Sequence, residues 1–198
     1  MPTVPRLDLT HGQVAWAICD GQPPEQKTTD QLRYLRQLGV PFTEKELGVG
    51  RGHRLTYTYD HLIECGVAIW AMRRGIRPRL AAEFLVGDRP RLRKLYREAL
   101  RQQPEGALDA PWIKSRGKIM PTHSKENFIL LHKDFLDHSA HIDVMTLEEV
   151  VMFNAAMGDM VARTGQDVQP LVPLGRVAIQ LVAWALEAPE VRTGPRTG

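Results

Sequence analysis

Cysteine is scarce. The 198 residues hold two, Cys19 and Cys65, too few for the disulfide framework of a small secreted domain, and a reducing compartment is expected. No Cys cluster marks a metal-sensing loop. A long apolar run is missing too. The most apolar stretch, Val177 to Ala188, is interrupted by Gln180 and falls well short of the roughly 20 residues that span a bilayer. The opening MPTVPRLDL has no signal-like apolar run. No Gly-rich phosphate loop, nucleophile motif or internal repeat occurs. These absences lead us to expect a protein of the cytoplasm, outside the membrane, that is not an enzyme and uses no cofactor. Hydrophobic residues are 43% and charged residues 25% of the chain, an ordinary globular balance that allows a core without metals.

Net charge is only +3, but it is unevenly spread. Residues 28–103 hold 15 Lys and Arg against 8 Asp and Glu, whereas residues 104–198 hold 9 against 12. Most of the basic excess is Arg, whose planar fork suits phosphates and base edges. Such a concentration is the electrostatic footprint of nucleic-acid binding, with a solvated helical face as the plainer alternative.

Helical signals run along the first half. Thr10 is a candidate N-cap for a helix that turns Val14, Ala15 and Ile18 inward and ends at Gly21. Thr28 or Thr29 caps a second, over 29–38, with Leu32, Leu35 and Leu38 on one side and Gln31, Arg33, Tyr34, Arg36 and Gln37 on the other. From Phe42 to Tyr59 the pattern changes. Gly48, Gly50 and Gly52 mark a turn, and Leu55, Tyr57 and Tyr59 then alternate with polar residues, which predicts a β-hairpin with Arg51, His53 and Arg54 at its tip. Asp60 starts a third helix that ends at Gly75. A fourth runs from Pro78 to Leu85, and a fifth follows Gly87-Asp88-Arg89-Pro90, with Leu92, Leu95, Tyr96, Ala99 and Leu100 on one face and Arg and Lys over most of the other.

Helix, turn, polar helix, basic hairpin and helix together outline a winged helix-turn-helix. The second helix would enter the major groove and the wing, 48–57, would rest on the backbone or the minor groove. Thr28 to Leu85 resembles the DNA-binding domain of the mercury-resistance-regulator (MerR) family. The resemblance is carried by Leu32-Arg33-Tyr34, Leu38-Gly39-Val40, Arg51-Gly-His-Arg54 leading to Tyr57, Asp60-His-Leu62 and Arg73-Arg-Gly-Ile76. It implies that Arg33, Tyr34, Arg51, Arg54 and Tyr57 face DNA. With Thr28, Thr29, Gln31, Arg36 and His53 they make up the candidate DNA-binding set. Leu35 stands where that family has a second aromatic, the loop Gly21 to Lys27 is longer than a tight helix-turn-helix uses, and no long dimerisation helix follows.

The expected organisation is a winged helix-turn-helix domain over 1–87, a basic helix and linker over 88–118, and a mostly helical dimerisation or regulatory domain over 119–198. The fold class is mainly α with a small β-hairpin wing. Asn127 to Leu131 and His141 to Met145 read as strands or irregular segments. Thr146-Leu-Glu-Glu149 is a capping box for a helix reaching towards Arg163. The final helix, Leu174 to Ala188, is apolar nearly all round, so it is expected at a homodimer interface through Leu174, Val177, Leu181, Val182, Trp184 and Leu186, or else at the centre of its own domain. The reading is a homodimeric, sequence-specific regulator that binds double-stranded DNA, with RNA polymerase as a candidate further partner. Two alternatives stand beside it. One is a metal-binding protein or enzyme using His123, His132, His138, His141 and nearby Asp residues in 123–143, although their spacing matches no ligand pattern. The other is a protein-interaction adaptor.

Overall fold

The computed structural model describes residues 3–47, 55–109, 127–133, 140–146, 148–150, 152 and 171–189. It is mainly helical with a small three-stranded antiparallel sheet.

The first helix, α1 (His11–Ile18), is capped reciprocally. Gln13 N–H donates to Thr10 Oγ1 at 3.3 Å and Thr10 N–H to Gln13 Oε1 at 2.9 Å. It ends before Gly21, whose φ of +68° suits a residue without Cβ. The second helix, α2 (Gln26–Gln37), starts earlier than its threonines suggest. Thr29 Oγ1 donates back to the Glu25 carbonyl, and Gln26 Nε2 reaches Asp30 one turn on. Thr28 is therefore a buried residue inside the helix rather than its cap.

Between α2 and the next long helix the described residues hold a short helix, α3 (Glu44–Leu47), just ahead of the expected wing. Glu46 holds it by accepting Thr43 N–H and Oγ1–H at 2.8 and 2.9 Å. Residues 48–54, which hold most of the expected wing, lie outside the described residues. After residue 54, Tyr57 pairs with Leu9 through two backbone hydrogen bonds of 2.8 and 3.0 Å. Tyr57 turns its ring into the core, edge-on to Phe42 with centroids 4.8 Å apart.

Three helices follow: α4 (Tyr59–Arg73), α5 (Pro78–Gly87) and α6 (Arg89–Arg101). A 3-10 turn lies at Ala107–Asp109. Next come β1 (Asn127–Lys133) and β2 (Ala140–Thr146), antiparallel with Phe128 opposite Met145. The capping box at Thr146 forms, with Glu149 Oε2 accepting Thr146 N–H at 2.7 Å, and 148–150 are helical. The third strand, β3 (Leu171–Pro173), pairs with β1 and leads directly into α7 (Leu174–Glu187).

One hydrophobic cluster runs from Leu7 to Ala185. It crosses both expected domain boundaries, since α7 packs on α1, α4 and α6 as well as on β1 and β3. Two glycine positions show how closely. A Cβ on Gly66 of α4 would overlap Leu181 Cδ1, and one on Gly21 would overlap the Trp184 ring. Among the described residues, no helix is long and apolar enough to cross a membrane.

Candidate nucleic-acid interface and an arginine-lined cleft

The arrangement of α2 follows from its apolar spacing. Leu32 and Leu35 are buried, so the residues between them point outward. Tyr34 is 45% exposed, one of the few large hydrophobic side chains on the surface of the described residues. Arg33 is exposed and pairs with Asp30 at 3.2 Å, one turn earlier. An exposed pair of this kind is worth about 0–1 kcal/mol, so Arg33 can leave it cheaply for a stronger acceptor. Gln31, Thr29 and Arg36 are half-buried.

Arg36 faces the start of α1. The His11 imidazole is held below its usual pKa by burial and by the positive charges of Arg36 and then Arg33. Its Nδ1 lies 3.1 Å from Tyr57 Oη. The start of α1 and the outer side of α2 therefore share one positive field. Tyr57 itself is buried, and burial pushes its phenol up to about 12. Tyr57 and Thr28 thus have no face to offer a duplex, and both are corrected from binding residues to core residues. Arg51, His53 and Arg54 lie outside the described residues.

The arginines of α6 divide between solvent, where Arg91 and Arg101 stand, and an ion-pair network formed by Arg89, Arg93 and Arg97. Asp60 and Glu64 stand one turn apart on α4, and Arg89, Arg93 and Arg97 stand one turn apart on α6. The two series meet antiparallel. Arg97 forks Asp60, with Nε 3.0 Å from Oδ1. Arg89 Nε and Nη2 donate to Glu64 Oε1 at 2.9 and 2.7 Å, and Nη2 also reaches the Gly39 carbonyl. Arg93 donates to Glu46 at 2.8 and 3.2 Å and to the Pro41 carbonyl at 3.0 Å. Burial raises the Glu64 carboxyl to about 7, despite the opposing pull of Arg89 and Arg93. The shared four-residue spacing of Asp60-x3-Glu64 and Arg89-x3-Arg93-x3-Arg97 was the available signal. These three arginines are neutralised one for one by Glu46, Asp60 and Glu64, so residues 28–103 keep their excess, 12 Lys and Arg against 5 Asp and Glu.

Beside this network lies an open cleft of about 700 Å³. One wall is the chain from Val4 to Asp8. The other is Arg93, Arg97 and Arg101 of α6, with Thr56, Thr58, Tyr59 and Asp60 between. Tyr59 Oη donates to the Tyr96 carbonyl at 2.6 Å, fixing the ring at the floor.

The expected interface helix is placed differently. Leu174, Val177, Leu181 and Val182 are buried within this chain, and Trp184 packs partly buried against the same core. Both apolar faces of α7 are covered by α1, α4 and α6, so α7 is an internal helix, and only Leu186, 59% exposed, remains outside.

In the 123–143 segment, His123, Asp134, Asp137 and His138 lie outside the described residues, while His132 and His141 are register partners across β1 and β2. Among the described residues no three His, Cys, Asp or Glu form a metal-holding group. Compared with known proteins, the chain matches no family model and no curated protein.

Proposed function

We propose that the chain is a sequence-specific transcriptional regulator that binds double-stranded DNA with α2 in the major groove. The observation that carries this reading is the division of α2. Leu32 and Leu35 anchor it in the core while Arg33 and Tyr34 stand in solvent, with Arg36 and His11 beside them. A polar helix held from behind, second in the chain and preceded by a capped helix, is how a helix-turn-helix presents side chains to base edges. Support also comes from the basic excess of residues 28–103 and from the resemblance to the mercury-resistance-regulator family over Thr28 to Leu85. The glycine-rich segment holding Arg51, His53 and Arg54 would supply backbone or minor-groove contacts. Two chains on two half-sites belong to the reading, since one small module buries little surface, but α7 does not supply their interface.

The test is selection of bound sequences from random duplex, followed by titration at several salt concentrations. Affinity should fall steeply with salt. Arg33→Ala should cost about 1–3 kcal/mol on the selected site and relax its preference. A flat salt response, or a selected site that Arg33→Ala binds unchanged, overturns the proposal.

A further inference from the structure

The cleft between residues 4–8 and α6 has chemistry that the α2 surface does not use. Arg93, Arg97 and Arg101 recur every fourth residue, so they form one stripe on α6, and all three line the cleft. Two of them are fixed from below. Asp60, nearly buried, takes Nε and Nη2 of Arg97. Glu46 takes Nη1 and Nη2 of Arg93, whose Nη2 also serves the Pro41 carbonyl and whose Nε is buried towards Glu64, so Arg93 is committed to the fold. Arg97, held through Nε and Nη2 and half exposed, keeps the Nη1 donors, and its orientation has already been set when a ligand arrives. Less rotamer freedom is then lost on binding. Arg6 on the opposite wall and Arg101 at the end of the stripe are exposed, with Asp8 the one lining carboxylate outside the arginine pairs. Thr56 and Thr58 are exposed between the walls.

We propose that this cleft is a binding site for a phosphate group, with Arg6 and Arg101 gripping it from opposite walls and Arg97 donating from the floor side. Arginine forks match the geometry of phosphate oxygens, and charge-assisted bonds of this type contribute about 1.5–3 kcal/mol each. The walls are separate segments of the chain, so the site is a concave clamp rather than a stretch of charged helix. It stands apart from α2 and does not rest on the DNA reading. The phosphate could belong to a duplex backbone or to a small phosphorylated compound, and the two sources are separable.

The experiment measures inorganic pyrophosphate binding by calorimetry and by backbone amide shifts, on the full chain and on Arg6→Ala, Arg101→Ala and Arg77→Ala. Arg77 is exposed just ahead of α5, away from the cleft lining, and serves as the control. Thermal melts establish that each variant is folded. Wild type should bind with shifts centred on residues 4–8 and 97–101, and Arg6→Ala and Arg101→Ala should each weaken binding about tenfold, as expected for one lost charge-assisted bond. Arg77→Ala should bind like wild type. A matching loss of duplex affinity in the two cleft variants assigns the site to backbone phosphate, and unchanged duplex affinity assigns it to a small phosphorylated ligand. Two outcomes overturn the proposal: no pyrophosphate binding by wild type, or equal weakening by Arg77→Ala, which would mean that charge alone attracts the anion.

Discussion

His61 Nε2 lies 3.2 Å from Glu46 Oε1, joining the first turn of α4 to α3. The other ring nitrogen, Nδ1, accepts the Thr58 N–H at 3.2 Å. Since Nδ1 accepts, the proton must sit on Nε2, and the ring donates from there to Glu46 as a neutral imidazole. One side chain thereby brings together the two ends of the chain that flank residues 48–54.

This geometry predicts an acid-sensitive contact. Burial holds the His61 pKa below its ordinary value, outweighing the opposing pull of Glu46; Arg93 lowers it further and Asp60 raises it. Glu46 is held far below the usual carboxylate range by its bonds to Arg93, Thr43 and His61, against the opposing effect of burial. For both groups the unfolded chain takes up protons first as pH falls, so stability is lost on acidification. Glu64, raised to about 7, works the other way, so total stability is a poor readout. The difference between wild type and His61→Gln isolates the contact. In urea titrations it should be largest above pH about 6.5 and shrink below it. A difference independent of pH between 5 and 8 contradicts the neutral-ring assignment.

The Arg89–Glu64 pair should behave as a buried pair does. Arg89→Leu leaves a buried carboxylate and an unserved Gly39 carbonyl, and should cost about 3–5 kcal/mol. Removing both charges, as Arg89→Met with Glu64→Leu, should restore most of that. Chemical denaturation of the singles and the double closes the cycle. A loss under 1 kcal/mol in Arg89→Leu would mean that Arg93, with Nε 3.7 Å from Glu64 Oε2, already suffices.

Much of the helical frame was legible in local chemistry. The Thr10 and Thr146 caps, the stop at Gly75 and the proline start of α5 all follow from residues a few positions apart. What local chemistry does not reveal depends on distant partners. Tyr57 alternates like a strand residue, but its strand partner is Leu9, 48 positions earlier. The basic face of α6 resembled a solvated surface because the carboxylates opposing it lie on α4 and α3. The apolar circumference of α7 is legible in its spacing, but periodicity cannot say whether its cover comes from the same chain.

Close approach of α7 to its neighbours makes two glycines intolerant. Gly66→Ala drives a methyl into Leu181 inside the core, an overpacking cost of about 1–3 kcal/mol. Gly66→Ala combined with Leu181→Ala should lose less than the two single losses added together. Gly21→Ala meets the rigid Trp184 ring and also a φ of +68°, adding about 1 kcal/mol of left-handed strain. Thermal melts should therefore rank Gly21→Ala as the more damaging, and the reverse ranking would show that Trp184 moves aside more easily than Leu181.

The placement of α7 also separates folding from assembly. Val182 is fully buried among residues of this same chain, while Leu186, one turn later, is 59% exposed. If α7 joined two copies, glutamate at either position would yield folded monomers. With both its apolar faces already covered by α1, α4 and α6, the two substitutions should part company. Val182→Glu buries an unpaired carboxylate with no partner within the core, which costs several kcal/mol, enough to unfold a domain whose whole margin is about 5–15 kcal/mol or to leave it barely folded. Leu186→Glu exchanges one solvated side chain for another and should change stability by less than about 0.5 kcal/mol. Circular dichroism should show lost helicity for the first and none for the second. Light scattering on Leu186→Glu should give the wild-type mass, whatever that mass is. A folded monomer from Val182→Glu, derived from a dimeric wild type, would return α7 to an interface and require the α1, α4 and α6 contacts to be supplied by a second chain.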